Sequence, residues 1–360
     1  MTNYKETFDE LVREGWLISQ VHPTLDLTIY NYSQKTQYEG YWTPETLAAR
    51  GLVLNSEGSV VARPFAKFFN AEEAKEKMPN APFEVYEKMD GSLGIFFWYA
   101  TEEKLHPVFA SRGSFTSEQA VKGWEMLQKL PYHDLAYGHT HMFEIIYPEN
   151  RIVVDYGDAE KLVLLGIVET ATGREVKREN IEEHLGHSFE LVKRYHFKDS
   201  WVHLKSHNDP NREGYVLVYP DGYRVKVKFE EYVRLHRIIT QVSNIDIWEH
   251  LKNDLPLDEF LEKVPDEFFD WVRQWEKALK FGYVMKEKEA HKYFNQLSES
   301  DEVLSTSRKD QAMWIFANAP KEYQGIMFSM LDGKDYSQAI WKMLRPEWSK
   351  PFKADSTEDK

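Results

Sequence analysis

In the run EKMDGSLGIFFWY, which begins at Glu87, a lysine stands two residues before an Asp-Gly pair and a serine follows the glycine. Asp90-Gly91 between two apolar runs is a tight-turn signal and predicts a β-hairpin. Lys88 is the residue there with chemical scope. A lysine amine has an ordinary pKa of about 10.4 and attacks an electrophile only after losing its proton, which burial or neighbouring cations favour. A lysine so activated forms covalent intermediates. If the electrophile is the α-phosphate of a nucleoside triphosphate, the site also needs cations for the phosphates, carboxylates to place a metal ion, and groups for base and ribose.

That set is present in strand-like segments. Glu144 sits in FEI between apolar neighbours, and Glu213 precedes a glycine in EGYV. Lys226 and Lys228 in KVK are two apart, so on a strand both point to one face. Two ammonium groups on one face of an apolar strand are costly unless they meet an anion. Arg50 in ARGLV, Arg63 and Lys67 in RPFAKFFN, and Arg112 in ASRGS add cations. Singly, each has a plainer reading: Lys88 as a surface lysine beside a turn, Glu144 as an edge-strand charge, Lys226 and Lys228 as the wet face of an amphipathic strand. The ordered occurrence of all of them along one chain favours the chemical reading.

The elements that must position these residues are short strands. RGLVLN, SVVARP, FEVYEKM, SLGIFFWY, HPVFASR, HMFEIIY, RIVVDY, KLVLLGIVE, GYVLVY and YRVKVKF carry strand patterns. NSEG, YPEN and YPDG mark turns between them. YKETFDELVREGWL, SFTSEQAVKGWEMLQKL and REVKRENIEEHLG read as helices. Many strands with few crossover helices predict largely antiparallel sheets, an α+β fold. Beyond Asn244 the pattern changes. Leu257, Phe260, Leu261 and Val264, then Phe268, Phe269, Val272, Trp275 and Leu279, recur at helical spacing, with Pro265 suited to a first helical turn. STSRKDQAMWIFANA and DYSQAIWKMLRPEW continue it. The expected organisation is a catalytic domain over 1–245, an all-helical domain over 246–350 and a flexible tail over 351–360.

Composition bounds the chemistry. The 360 residues are 42% hydrophobic and include no cysteine, which excludes disulfides, thiolate zinc sites and cysteine nucleophiles. A reducing cytoplasm fits, and no apolar run approaches the ~20 residues of a membrane span. The net charge of −14 argues against a broadly basic nucleic-acid-binding surface, though five basic residues against two acidic ones fall between Arg224 and Arg237. His139 and His141 share a strand face and His184 and His187 lie three apart, but neither pair has a third ligand nearby, so all four read as structural or surface histidines.

At this point the motifs resemble a known family. KMDGSL is similar to the KxDG signature of covalent nucleotidyltransferases, the ATP-dependent DNA and RNA ligases and the mRNA capping enzymes. SRGS, FEI, EGYV and KVK resemble the motifs that follow it, in the family's order, and the serine and leucine after DG favour ligases. ARGLVLNSEGSVVARPFAKFFN and FEIIYPENRIVVDYG resemble the bacteriophage single-strand RNA ligases of the tRNA-repair type, over roughly residues 40–240.

The resemblance implies a nucleotidyltransferase domain followed by a helical one, in place of the β-rich C-terminal domain of DNA ligases. It implies that Lys88 accepts AMP, that Asp90 and Gly91 shape its loop, and that Asp90 and Glu213 act around the metal and the lysine. Glu144 would contact ribose and serve the metal through water. Arg50 and Lys67 would hold phosphate or pyrophosphate, and Lys226 and Lys228 would neutralise the α-phosphate. Arg112 stands where relatives often have lysine, which keeps the charge but not the donor geometry. ATP and magnesium, with manganese as an alternative, are the implied cofactors. The implied partner is RNA with a 5′-phosphate and a 3′-hydroxyl, with no membrane and no obligate protein partner. The rival readings are a nick-sealing RNA or DNA ligase, a capping enzyme, and a non-catalytic RNA-binding protein that kept a nucleotide pocket.

Overall fold

The computed structural model describes residues 4–74, 76–197, 200–209, 211–233, 243–261, 269–299 and 307–347. The chain divides into two units, Met1–Ile239 and Thr240–Lys360. In the first, the strands are β1 (Leu17–Val21), β2 (Thr28–Tyr32), β3 (Arg50–Leu54), β4 (Val60–Ala62), β5 (Phe69–Asn70), β6 (Glu84–Lys88) and β7 (Ser92–Ala100). They continue with β8 (Leu105–Ser111), β9 (His139–Ile146), β10 (Lys161–Glu169), β11 (Glu190–Leu191), β12 (Arg194–Tyr195), β13 (Gly214–Val218) and β14 (Arg224–Lys228). They form three sheets, ordered β1-β2-β3-β4, β11-β10-β9-β7-β8 and β12-β6-β13-β14-β5. Pairing is antiparallel except for β10 with β11 and β14 with β5, so the α+β fold with antiparallel sheets is observed.

The central sheet is buried on both faces, which is why its strands read as unbroken apolar runs. On β7, Leu93, Ile95 and Phe97 pack with Ile29, Val53 and Met142, while Phe96 packs on the other side with Phe143, Leu127 and Ile181. Helices Glu118–Leu127 and Arg178–Leu185 cover that second side. The third sheet alternates instead. Val85, Tyr215, Leu217, Val225 and Val227 point into their own core with Leu204 and Phe229. The two-residue period then places Tyr86, Lys88, Val216, Lys226 and Lys228 on the opposite face.

Two local expectations are corrected. The turn at Asp90-Gly91 does not close a hairpin: β6 pairs with β12 and β13, whereas β7 pairs with β8 and β9 in another sheet. The chain crosses between sheets there. RIVVDY is not a strand. The backbone amides of Val153 and Val154 donate to Asp90 Oδ2 at 2.9 and 2.8 Å, so these donors serve a side chain rather than a ladder. β1 and β2 were not expected. LISQV has only one buried residue, and TIYNY is buried throughout, so neither shows simple alternation.

The second unit contains helices Asn244–Lys252, Leu257–Leu261, Phe269–Ser298, Arg308–Asn318, Lys321–Leu331 and Ser337–Met343, and no strand among its described residues. Ser243 caps the first of these through a capping box with Asp246. Ala290, Tyr323, Ile326 and Ile340 form one core cluster, and Leu297, Ile315 and Met327 another. Val264, Pro265, Phe268, Arg234, Arg237 and the tail 351–360 lie outside the described residues. Among the described residues, no helix is long and apolar enough to cross a membrane.

Candidate active site

Lys88 ends β6, and its register partner on β13 is Gly214, which pairs on its other side with Lys228 of β14. Two lysines therefore flank one glycine across three strands. Gly214 has φ 149°, and a Cβ there would lie 2.0 Å from the Val227 carbonyl oxygen, so only glycine fits between them. Glu213, immediately before it and 4% exposed, meets both lysines: Oε2 lies 2.7 Å from Lys88 Nζ and Oε1 lies 3.3 Å from Lys228 Nζ. Such an enclosed carboxylate is tolerable because it has two counter-charges. Lys226 is buried on the same face of β14, opposite Val216 on one side and Asn70 on the other.

The turn after Lys88 is held from below. Asp90 is buried, and besides Val153 and Val154 it accepts from the Tyr232 hydroxyl at 2.9 Å, while its own amide donates to the Tyr156 hydroxyl at 2.9 Å. Both carboxylate oxygens are thus occupied by protein donors. Gly91 lets β9 come close: a Cβ there would sit 2.6 Å from the Ile145 carbonyl oxygen and 3.1 Å from Glu144 Cγ. Behind Lys88, on the other face of β6, Glu87 pairs with Arg212 at 3.4 Å and accepts from the Tyr195 hydroxyl at 3.0 Å.

Across from the lysines stands Glu144 on β9. Burial pushes its carboxyl pKa up to about 8; Lys88 and Arg50 pull it down, and Glu213 and Asp90 push it up. Arg50 opens β3, and its Nη1 is buried with no hydrogen-bond partner among the described residues. Burial lowers the guanidinium's pKa from its ordinary value, Tyr32 and Glu144 oppose this, and Arg112 and Arg224 add to it. A buried cationic donor without an acceptor is a group arranged for an anion from outside.

Lys88, Glu144 and Arg50 line one cleft of about 600 Å³ between the second and third sheets, with Leu93, Leu165 and Val216 as apolar walls. That volume suits a nucleotide. Arg224 closes its far end through a two-pronged ion pair with Glu175 and stacks 3.9 Å over the Phe65 ring. Lys67 and Arg112 do not line this cleft, and neither do Asp90, Gly91, Glu213, Lys226 or Lys228. Lys67 sits 5.1 to 5.5 Å from the ring centroids of Tyr32, Trp42 and Phe69, and Arg112 lies over Tyr32.

Among the described residues, no three His, Cys, Asp or Glu side chains come together as a metal-binding group. Asp90, Glu144 and Glu213 occupy three separate settings: one hydrogen-bonded to the fold, one facing the cleft, one between two lysines. His141 is buried against Phe96, where burial, with His139 adding to it, drives its pKa down to about 3. Tyr156 and Tyr232, which fix Asp90, carried no sequence signal, because their contacts are 66 and 142 residues away along the chain.

Known proteins of similar sequence give the family. A family model described as RNA ligase matches residues 48–233. The RNA ligase of Rhodothermus phage RM378 is 24% identical over 324 residues, covering 68% of this chain and 69% of its own length. A provisionally named RNA ligase of Thermovibrio ammonificans is 27% identical, covering 79% of this chain and 76% of its own. A Naegleria gruberi RNA ligase solved with pyrophosphate aligns at 18% identity and TM-score 0.37 over 43% of this chain, which spans 52% of that structure. The chain belongs to the RNA ligase family, ATP-dependent enzymes of the covalent nucleotidyltransferase superfamily.

Proposed function

We propose that this chain joins a 5′-phosphate and a 3′-hydroxyl of RNA, in RNA repair of the tRNA type, through an AMP carried on Lys88. The observation that supports it most is Lys88, held 2.7 Å from Glu213, lining a nucleotide-sized cleft that Arg50 also lines, with one guanidinium nitrogen unpartnered among the described residues. Before attack the Lys88 ammonium loses its proton, and Glu213 is in contact to receive it. The Lys88 Nζ–Pα bond forms, the bond from Pα to the bridging oxygen breaks, and pyrophosphate leaves. Next a 5′-phosphate oxygen of RNA attacks the same phosphorus, the P–N bond breaks, and Lys88 regains a proton. In the last step the 3′-hydroxyl gives up its proton to solvent as its oxygen attacks the RNA 5′-phosphorus, the bond from that phosphorus to the bridging oxygen breaks, and AMP leaves.

All three steps are phosphoryl-type transfers, so the protein's task is positioning and charge neutralisation. Lys226 and Lys228, on the Lys88 face of the third sheet, would neutralise the α-phosphate, and Arg50 and Lys67 would hold the departing pyrophosphate, with Arg112 as a further cation. Asp90 and Gly91 set the turn that aims Lys88. Glu144 would serve a magnesium or manganese ion, directly or through water, with the cation displacing the proton that burial favours; magnesium is usually held by one or two carboxylates plus phosphate and water. When bound, that ion would supply further neutralisation of the phosphates. The catalytic domain would span residues 1–245 and the helical domain 246–350.

The test is end joining without a template. A 5′-phosphorylated single-stranded RNA with a 3′-hydroxyl, ATP and magnesium should yield circles and concatemers. Strict dependence on a complementary splint would assign nick sealing instead.

A further inference from the structure

Glu87-Lys88 ends β6 and Arg212-Glu213 leads into β13, two dipeptides of opposite charge order. Neighbours on a strand point to opposite faces, so each face receives one acid and one base. On the cleft side Lys88 meets Glu213 at 2.7 Å. On the side of Val85 and Tyr215, Arg212 Nε meets Glu87 Oε1 at 3.4 Å, and both side chains are only 20% exposed. Tyr195 of β12 completes this rear contact. Its hydroxyl donates to Glu87 Oε2 at 3.0 Å and accepts from Arg212 Nη2 at 2.6 Å. The guanidinium also lies over the Tyr195 and Tyr215 rings, 4.9 and 5.2 Å from their centroids. Burial works against the charge of Arg212, but Glu87 and Tyr195 outweigh it, and its pKa is raised. Neither Arg212 nor Tyr195 lines the nucleotide cleft.

The front pair cannot hold these strand ends throughout a reaction that makes lysyl-AMP. The ladder between β6 and β13 ends at Lys88 and Gly214. When the Lys88 amine loses its proton and bonds to phosphorus, its ion pair with Glu213 is lost. The rear pair takes no part in bond making and stays closed in every step. We propose that Arg212, Glu87 and Tyr195 form a clamp behind the nucleophile, which keeps the ends of β6 and β13 aligned while the Lys88–Glu213 contact is broken and remade. Their side chains act through Lys88 and Glu213 from the rear of the sheet, so all three are positioning residues. The effect on rate is large because a displacement of about 1 Å at a reacting group costs on the order of a hundredfold. This role rests on the reading of Lys88 as the AMP acceptor.

The test pairs a rate with a measurement on the strands themselves. Single-turnover labelling with AMP should be roughly tenfold slower or more in Arg212→Met, with half-saturation by ATP within about twofold of the wild type. Arg212→Lys keeps the charge but not the fork and should recover part of the rate. Adding Glu87→Gln to Arg212→Met should slow labelling little further, because both changes break one contact. Leu204→Ala, a truncation in the same core, should lower the melting temperature without this loss of rate. Hydrogen exchange followed by mass spectrometry should be faster over β6 and β13 in Arg212→Met, whether or not ATP reacts. A wild-type labelling rate in Arg212→Met, no recovery in Arg212→Lys, an equal loss in Leu204→Ala or unchanged exchange would each overturn the clamp. A wild type that never labels, with exchange still faster in Arg212→Met, would overturn the AMP-acceptor reading and leave the clamp standing.

Discussion

Glu213 holds the Lys88 ammonium at 2.7 Å and shares its other oxygen with Lys228 at 3.3 Å. One enclosed carboxylate therefore organises two cations, of which Lys88 lines the cleft. Glu213→Ala removes their shared counter-charge and is expected to destabilise the fold by about 3 kcal/mol, the scale for breaking an enclosed pair. Urea unfolding of wild type and variant measures this. No loss of stability would mean that water already screens the pair.

Arg50 makes the opposite trade. Its Nη1 is buried without a hydrogen-bond partner among the described residues, so the charge costs stability until an anion arrives. Arg50→Met should leave the melting temperature equal or higher and weaken ATP binding by roughly 30-fold or more. Calorimetric titration with ATP, beside thermal melting, separates the two effects. A lower melting temperature with intact ATP affinity would make Arg50 a packing residue.

Glu144 gives a pH dependence with a defined sign. Its folded pKa is raised to about 8 from an ordinary 4.5, so between these values the folded chain holds a proton that the unfolded chain has released. Its contribution to stability is complete below the lower value and is lost as pH rises through the upper one. Glu144→Gln, neutral at every pH, should flatten the decline in stability across that window. Identical pH–stability curves for the two proteins would show that the carboxyl is not enclosed in solution.

Much of this was legible in the sequence because it is local. KVK puts two lysines on one face by strand period alone, and KMDGSL places a lysine beside a turn. What was not legible depends on partners far along the chain. Asp90-Gly91 looks like a hairpin until the amides of Val153 and Val154 and the hydroxyl of Tyr232 are seen to hold Asp90 at a crossing between sheets. RIVVDY has strand composition, but its donors go to that same carboxylate. Lys67 lies near the other cations in sequence, yet Tyr32 and Trp42 draw it into a ring cluster outside the cleft.

The most direct measurement of the central claim is the intact mass of the chain after incubation with ATP and magnesium. The account predicts the addition of one AMP, acid-labile as a phosphoramidate, mapping to Lys88 and absent from Lys88→Ala. A label that persists in Lys88→Ala, or maps to another residue, would contradict it.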